Sequence, residues 1–393
     1  MSTEPGRSSF HAGTVLGLTL AHIVNDTYPA FLGILLPLLI ARFDLSLGFA
    51  GLLASVLTLS SLGQPLFGYI VDKSDARLWV VVTPATSAIC MGLLAIAPSP
   101  FVAFVLLLGG GLSLAAFHPA ASALVTQVTR GEWGTATSWF MTGGPIGAAL
   151  GPLVIAALIS AVGIQMSWVA LVPGVLFSVV LHLGLRRVAG RIVRQPPGAI
   201  RPALRRQLRS IVLLSVAVGV QAMAAVGFST FYPTYATSIG MDLAVAGISM
   251  AVYQAGGVVG VLGGGWLSDR FGRRASLLVS PLVGVPVMFV VVLSGSALFA
   301  FPLLFAGGAF LMGASPVQLV LMQELLPENR SLAAGLMFFL SIGAASVATI
   351  VVGFLGDLLG LQRALLIAIV GSLLSVPFVF LLPRRVRQER APA

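Results

Sequence analysis

The chain has 393 residues, 58% of them hydrophobic and only 9% charged, with 22 bases against 12 acids and a net charge of +10. A water-soluble chain carries roughly 25% charged residues, so this composition, with a mean hydropathy of +1.03, excludes a soluble enzyme, a secreted domain and a disordered protein. It specifies an all-α polytopic membrane protein, because the apolar runs are long and continuous, unlike the alternation of about ten residues that marks a membrane barrel.

Residues 1–12 read as a short tail whose first ten positions hold one base, Arg7. The apolar run that follows is too long for a cleavable signal peptide and contains Asp26, so none is expected. A membrane crossing takes about 20 apolar residues, and twelve crossings fit in order. Spans 1 and 2 fit 13–40 and 46–71. Spans 3 and 4 share 78–129, broken at Pro98-Ser99-Pro100, and spans 5 and 6 share 133–185, broken at Val162-Gly163-Ile164-Gln165. Spans 7 and 8 fit 210–238 and 244–268. Spans 9 and 10 share 275–323, broken near Ser294-Gly295-Ser296, and spans 11 and 12 fit 332–356 and 361–382. This predicts an N-terminal six-helix bundle over 13–185, a basic linker over 186–209 centred on Pro196-Pro197-Gly198, a second bundle over 210–382 and a basic tail over 383–393. Cys90 is alone and lies within an apolar run, so no disulfide or cysteine metal site is expected.

Placing the bases on this plan puts twenty of the 22 on the side of the N-terminus: Arg7, Lys73, Arg77, Arg130, eight arginines of the linker, Arg270, Arg273, Arg274, Arg330, and the tail's Arg384, Arg385, Arg387 and Arg390. Arg42 and Arg363 fall on the other side. The bias puts both termini in the cytoplasm and accounts for the positive charge without nucleic acid. The linker arginines either engage anionic lipid headgroups or serve orientation and solvation alone.

The halves repeat. Gly68-Tyr69-Ile70-Val71-Asp72-Lys73-Ser74-Asp75-Ala76-Arg77 follows span 2, and Gly265-Trp266-Leu267-Ser268-Asp269-Arg270-Phe271-Gly272-Arg273-Arg274 follows span 8, with Gly68 to Gly265 and Asp72 to Asp269 both separated by 197 residues. Two parallel repeats of six spans make a transporter architecture with its substrate site near mid-membrane. The second segment is a strong match to the loop signature of the major facilitator superfamily, which the chain resembles, and the first is a degraded copy in which Asp75 and Ala76 interrupt the pattern. Gly68, Asp72, Lys73 and Arg77, with Gly265, Asp269, Arg270, Gly272, Arg273 and Arg274, are therefore read either as gating clusters that tie cytoplasmic helix ends together in one conformation or as topogenic charge alone. In span 5, Gly143, Gly147, Gly151 and Pro152 resemble the glycine–proline signature of antiporters in that superfamily, and ordinary close packing of helices is the plainer reading.

A narrower resemblance rests on His22-Ile23-Val24-Asn25-Asp26 in span 1, Gln64-Pro65-Leu66-Phe67-Gly68-Tyr69 in span 2 and Phe117-His118-Pro119 in span 4. These look like the fosmidomycin-resistance family of major facilitator exporters, from about residue 20 to 360, although Ala120 stands where members tend to carry an acid. The resemblance implies proton-driven efflux of small drugs or related metabolites, no cofactor beyond the proton gradient, and a cavity lined by spans 1, 4, 7 and 10.

Asp26 is the most informative residue. A bare charge in mid-membrane costs several kcal/mol unless paired, hydrated or neutralised, so Asp26 either loads and releases the coupling proton or is a structural carboxyl bonded to its neighbours. His22, four residues earlier, shares its helical face and can relay a proton or simply pack. His118, before the helix-bending Pro119, is the third candidate for proton coupling. Asn25, turned about 100° from Asp26 on the helix, is a candidate cavity or interhelical residue. Tyr28, Gln64, Phe117, Phe228, Tyr232, Tyr235, Gln254 and Gln318 complete the candidate substrate cavity, each open also to a packing or interhelical role. Glu324, near the cytoplasmic end of span 10, is expected to pair with loop arginines.

The sequence has no Gly-x-x-x-x-Gly-Lys-Ser/Thr, no His-Glu-x-x-His and no nucleophile elbow, so neither ATP-driven work nor enzyme chemistry is expected. Histidines at 11, 22, 118 and 182 make no metal site by spacing. The expectation is a monomeric, proton-coupled antiporter in the cytoplasmic membrane that exports a small drug-like or anionic metabolite. The rivals are a symporter or facilitator importing an organic acid or sugar, and a membrane sensor that transports nothing.

Overall fold

The computed structural model describes residues 12–128, 133–186, 200–294, 297–326 and 330–382. Arg7, Arg130, most of the linker and the basic C-terminal tail lie outside the described residues. Among those residues twelve helices are long and apolar enough to cross a membrane. They are Gly13–Phe43, Leu47–Val71, Ala76–Leu94, Pro100–Val125, Trp139–Val162, Ile164–Leu185, Gln207–Ser238, Leu243–Phe271, Arg273–Ser294, Ala300–Leu325, Gly335–Leu359 and Leu361–Leu381.

The interruptions have local causes. Span 1 consists of helices Ala12–Thr27 and Phe31–Phe43, separated at Tyr28-Pro29-Ala30, where the proline has no N–H to give to the ladder. Span 2 tightens into a 3₁₀ turn at Ser61–Gly63 ahead of Pro65. Spans 5 and 6 are divided by Gly163 at φ 83°, and spans 11 and 12 by Gly360 at φ 85°, a backbone conformation that a Cβ disfavours. These two glycines are 197 residues apart, the same offset as the loop segments, so the repeat extends to the turns.

Contacts divide the chain into two compact units, Met1–Leu32 with Ser60–Arg194, and Gly33–Leu59 with Gln195–Ala393. Val15, Leu18, Phe117, Leu124 and Phe140 are central to the core of the first. Within it, span 5 lies against span 1 main chain to main chain. A Cβ built at Gly143 would come within 2.8 Å of His22 Cβ and 2.9 Å of the Thr19 carbonyl oxygen. One at Gly147 would meet Thr27 N at 3.0 Å and the Ile23 carbonyl oxygen closer still, and one at Gly151 would run into Thr27 and Ala30. Glycines four apart form one face of the helix, and their lack of side chains permits this approach.

The second unit has Leu214, Leu277, Val317, Leu321 and Met337 in its core. The hairpin Gly33–Leu59 packs within it. Asp357, near the end of span 11, accepts the Leu47 N–H on Oδ1 and the Gly48 N–H on Oδ2, both at 2.7 Å. It thereby serves two of the orphan donors at the start of helix Leu47–Ser60. Further along the same contact the Thr58 and Ser346 hydroxyls lie 2.7 Å apart.

Replacing Asp357 by Ala should cost about 0.5–2 kcal/mol, as for other helix caps, and lower the thermal midpoint in detergent. Asp242→Ala is the matched control, because Asp242 precedes helix Leu243–Phe271 without a capping side-chain bond; its midpoint should hold. For the span 1–span 5 contact, Gly147→Ala should destabilise by about 1–3 kcal/mol through overpacking. Gly17→Ala, whose Cβ meets nothing within 4 Å, should leave the midpoint unchanged or slightly raised.

Candidate functional site

The site grows from one turn of span 1. His22 and Asp26 project from the same face, as their spacing predicts, and the His22 Nε2 to Asp26 Oδ2 distance is 3.3 Å. His118 reaches the same carboxylate oxygen from span 4, with Nε2 at 3.6 Å. The two imidazoles stand edge to face with centroids 5.2 Å apart. His22 is nearly inaccessible, while the Asp26 and His118 side chains retain 19% and 30% of their exposure, so part of the cluster's surface stays open.

The second nitrogen of each ring is held by main chain. His22 Nδ1 lies 2.7 Å from the Phe140 carbonyl oxygen, and His118 Nδ1 lies 2.9 Å from the Leu114 carbonyl oxygen, one turn back on its own helix. A carbonyl can only accept, so each Nδ1 carries a hydrogen; Nε2 then donates to Asp26 when its ring is protonated and turns a lone pair toward it when the ring is neutral. Phe140 also stacks on the His22 ring at 4.5 Å, and Phe117 stands 5.7 Å from it; both phenylalanines are fully buried. Phe117, expected in the cavity, is thus part of the wall that fixes His22.

Asn25 donates from Nδ2 to Asp26 Oδ1 at 3.0 Å, and Ser87 of span 3 donates to the Asn25 carbonyl oxygen at 3.3 Å. Helix geometry turns the two Cα–Cβ directions apart, yet the side chains are long enough to meet. Asp26 therefore has one oxygen fixed by the amide and the other facing both histidines. Gly144 lies beside that second oxygen. A Cβ there would come within 3.0 Å of His22 Nε2 and 3.1 Å of Asp26 Oδ2, so the glycine leaves room at the meeting point. Linear spacing made no metal site of the four histidines; folding gathers two of them with Asp26 so that their ligand atoms all lie within 4.8 Å of one another.

The remaining candidates of the first unit are Tyr28 and Gln64. Tyr28 is buried and donates to the Ala170 carbonyl oxygen at 2.9 Å, anchoring span 1 to span 6. Gln64 is half-buried at the start of the second helix of span 2. In the second unit, Phe228 and Tyr232 stack at 4.6 Å, Tyr253 is 5.1 Å from Phe228, and all three are buried. Tyr235 donates to the Val292 carbonyl oxygen at 2.9 Å. Gln254 is half-buried. Gln318 donates to Gln221 Oε1 at 2.7 Å, and Gln221 donates onward to Ser375 at 3.2 Å, a buried amide chain joining spans 10, 7 and 12. Sequence reasoning passed over Gln221, whose polarity in an apolar span was the available signal.

The two loop segments differ. In the second, Arg273 bridges Asp269 at 2.7 Å, Ser268 at 2.7 Å and Glu324 at 2.8 Å, which gives Glu324 its loop arginine. Arg274 donates to the Phe380 and Leu382 carbonyl oxygens, Arg270 lies over Trp266 and Phe271, and Gly272 turns the chain at φ 91°. Gly265 stands in open space. In the first, the pairing is local. Asp75 caps span 3 by accepting the Arg77 N–H at 2.9 Å and holds the Arg77 guanidinium at 2.5 Å; that hydrogen-bonded partner keeps its carboxyl below the usual carboxylate range. Lys73 donates to the Tyr69 hydroxyl, and Gly68 faces Pro119. The residue that interrupts the loop pattern is a helix cap.

Comparison with known proteins agrees with this architecture. The Major Facilitator Superfamily profile matches residues 18–344. The chain is 28% identical to the MFS-type transporter YfnC of Bacillus subtilis, over 97% of this chain and 94% of that protein. It is 27% identical to the fosmidomycin resistance protein of Escherichia coli, over 97% and 95% of the two chains. In three dimensions it matches a bacterial homologue of the human lysosomal transporter Spinster with a TM-score of 0.81 at 16% identity, covering 96% of this chain and 98% of the other. With twelve helices in two repeats, the chain belongs to the major facilitator superfamily of transporters.

Proposed function

We propose that this transporter is a proton-coupled antiporter of the cytoplasmic membrane, exporting a small drug-like or anionic metabolite by alternating access, with both termini in the cytoplasm and the monomer as working unit. The observation that carries the reading is a carboxylate inside a helical bundle faced by two imidazoles. Ionisable groups at that depth are costly and are retained for ion or proton pathways. Asp26 is the group that takes up and gives back the proton, and His22 and His118 share its charge as access to water changes. The resistance-protein relative supports outward transport of a drug-like compound, and the charge bias of the loops supports the orientation. A proton entering down about 100 mV releases about 2.3 kcal/mol, enough for roughly fiftyfold accumulation of a neutral substrate.

Drug susceptibility of a bacterium stripped of its main efflux pumps tests this, using fosmidomycin and a panel of unrelated compounds. Wild-type chain should raise the inhibitory concentration of at least one compound severalfold, and Asp26→Asn at matched membrane levels should abolish the protection. In inverted vesicles the wild type should take up that compound when the lumen is acidified and should lose uptake when a protonophore is added. Protection that survives Asp26→Asn would remove the proton site from Asp26, and uptake indifferent to the protonophore would remove the coupling.

A further inference from the structure

We infer that His22, Asp26 and His118 form a binding site for a divalent transition-metal ion of the zinc class, held by Nε2 of the two imidazoles and Oδ2 of the carboxylate. The inference stands on geometry and goes beyond the transport reading, holding whether or not the chain is an exporter.

The donor set is the first argument. The main-chain carbonyls of Phe140 and Leu114 commit both Nδ1 atoms as donors, so three lone-pair atoms converge on one point when the rings are neutral. Such a meeting is repulsive until a proton or a metal cation occupies it. Two imidazoles and one carboxylate suit zinc, cobalt, nickel or ferrous iron, while magnesium and calcium prefer all-oxygen shells.

Distances are the second. Zinc–nitrogen and zinc–oxygen bonds of about 2.0–2.2 Å set neighbouring ligand atoms about 3.0–3.5 Å apart. The observed separations from Asp26 Oδ2 are 3.3 Å and 3.6 Å, close to that range, and all three ligand atoms lie within 4.8 Å of one another.

Support around the ligands is the third. Metal-bound histidines characteristically donate their other N–H to a carbonyl or carboxylate, and bound carboxylates are themselves hydrogen-bonded. Here each ring has its carbonyl, and Asn25 holds the free oxygen of Asp26 at 3.0 Å. Gly144 adds open space at the donors, where a Cβ would lie 3.0 Å and 3.1 Å from two of them, and the exposure of Asp26 and His118 gives the ion a way in. Three protein ligands and an open position describe a site that exchanges its ion, in contrast to a closed structural centre.

The test uses the full chain, purified in detergent, stripped with EDTA and titrated with Zn²⁺ by calorimetry and with Co²⁺ by visible absorption. The expected result is about one ion per chain, a Kd on the order of micromolar or tighter, and a Co²⁺ ligand-field band that Zn²⁺ abolishes. Asp26→Asn and His118→Gln should each weaken binding about tenfold or more. Gly144→Ala, which keeps all three ligands and fills the space beside them, should also weaken it. His182→Gln, an exposed histidine near the end of span 6, should bind as wild type. Sub-stoichiometric Zn²⁺, or no band at equimolar Co²⁺, overturns the site on wild-type protein alone, so it stays testable if a variant fails to fold. Binding undiminished by Asp26→Asn and His118→Gln also overturns it. Vesicle uptake in chelator separates this from the transport reading: Asp26-dependent uptake without metal binding sinks the metal site alone, and metal binding without uptake sinks the antiporter alone.

Discussion

Everything at the polar centre of the first unit depends on how closely span 5 can approach span 1. Lipid tails are as apolar as the helices, so hydrophobicity gives these two helices little reason to associate, and contact comes from fitted surfaces. Gly143, Gly147 and Gly151 leave most of the shared face without side chains. The main chain of span 5 then comes close enough for a carbonyl at Phe140 to reach a histidine on the neighbouring helix. A single methyl at Gly147 would push the helices apart at Ile23 and Thr27, and the imidazole would lose its partner. A glycine pattern that reads as an antiporter signature is thus, in this molecule, the mechanical support of the polar cluster.

The two halves share a frame and divide the chemistry. Pro119 and Pro316 are 197 residues apart, as are Gly163 and Gly360, so bends and turns were kept in both copies. The loop charges Asp72 and Asp269, Lys73 and Arg270, and Arg77 and Arg274 keep that offset as well, but the ionisable residues of the interior do not. At the same offset from His22, Asp26 and His118 the second half has Gly219, Met223 and Ser315. Its interior polar groups are neutral instead, and Gln221, Gln318 and Ser375 satisfy one another across three spans. A hydrogen-bonded amide chain in an apolar bundle gives specific helix pairing without a charge to desolvate. One half therefore carries an ionisable centre, and the other a neutral one.

Much of this was legible before folding, for physical reasons that differ by feature. The crossings could be read because a bilayer demands about 20 apolar residues in a row, and their breaks because proline and glycine act locally. The His22–Asp26 pair followed from helical spacing. His118 joins them from 92 positions along the chain, and no local rule encodes that meeting; it needs spans 1 and 4 to pack. Asn25 shows the limit of a rotation argument, since a short helical angle says where a side chain starts and not where its amide ends. Gln318 was read toward a cavity and has an amide partner in Gln221, while Asp75 was read as damage to a loop signature and caps a helix. Asp357 carries no such signal in the sequence. An acid near a span end is ordinary in sequence, and its significance lies in the two N–H groups brought to it from 310 and 309 residues away.

The partner of His22 Nδ1 is a main-chain oxygen, and this makes the ring's tautomer a gauge of helix position. Substitution at Phe140 changes the side chain but leaves the carbonyl in place, so, while His22 keeps its rotamer, the bond follows the position of span 5 along or away from span 1. A slide of about an ångström would stretch the 2.7 Å contact beyond hydrogen-bonding range. The hydrogen would then be free to shift to Nε2, turning an acceptor that faces Asp26 into a donor. Displacement between two helices would become inversion of polarity at one atom, with no side chain replaced and no charge moved across the membrane.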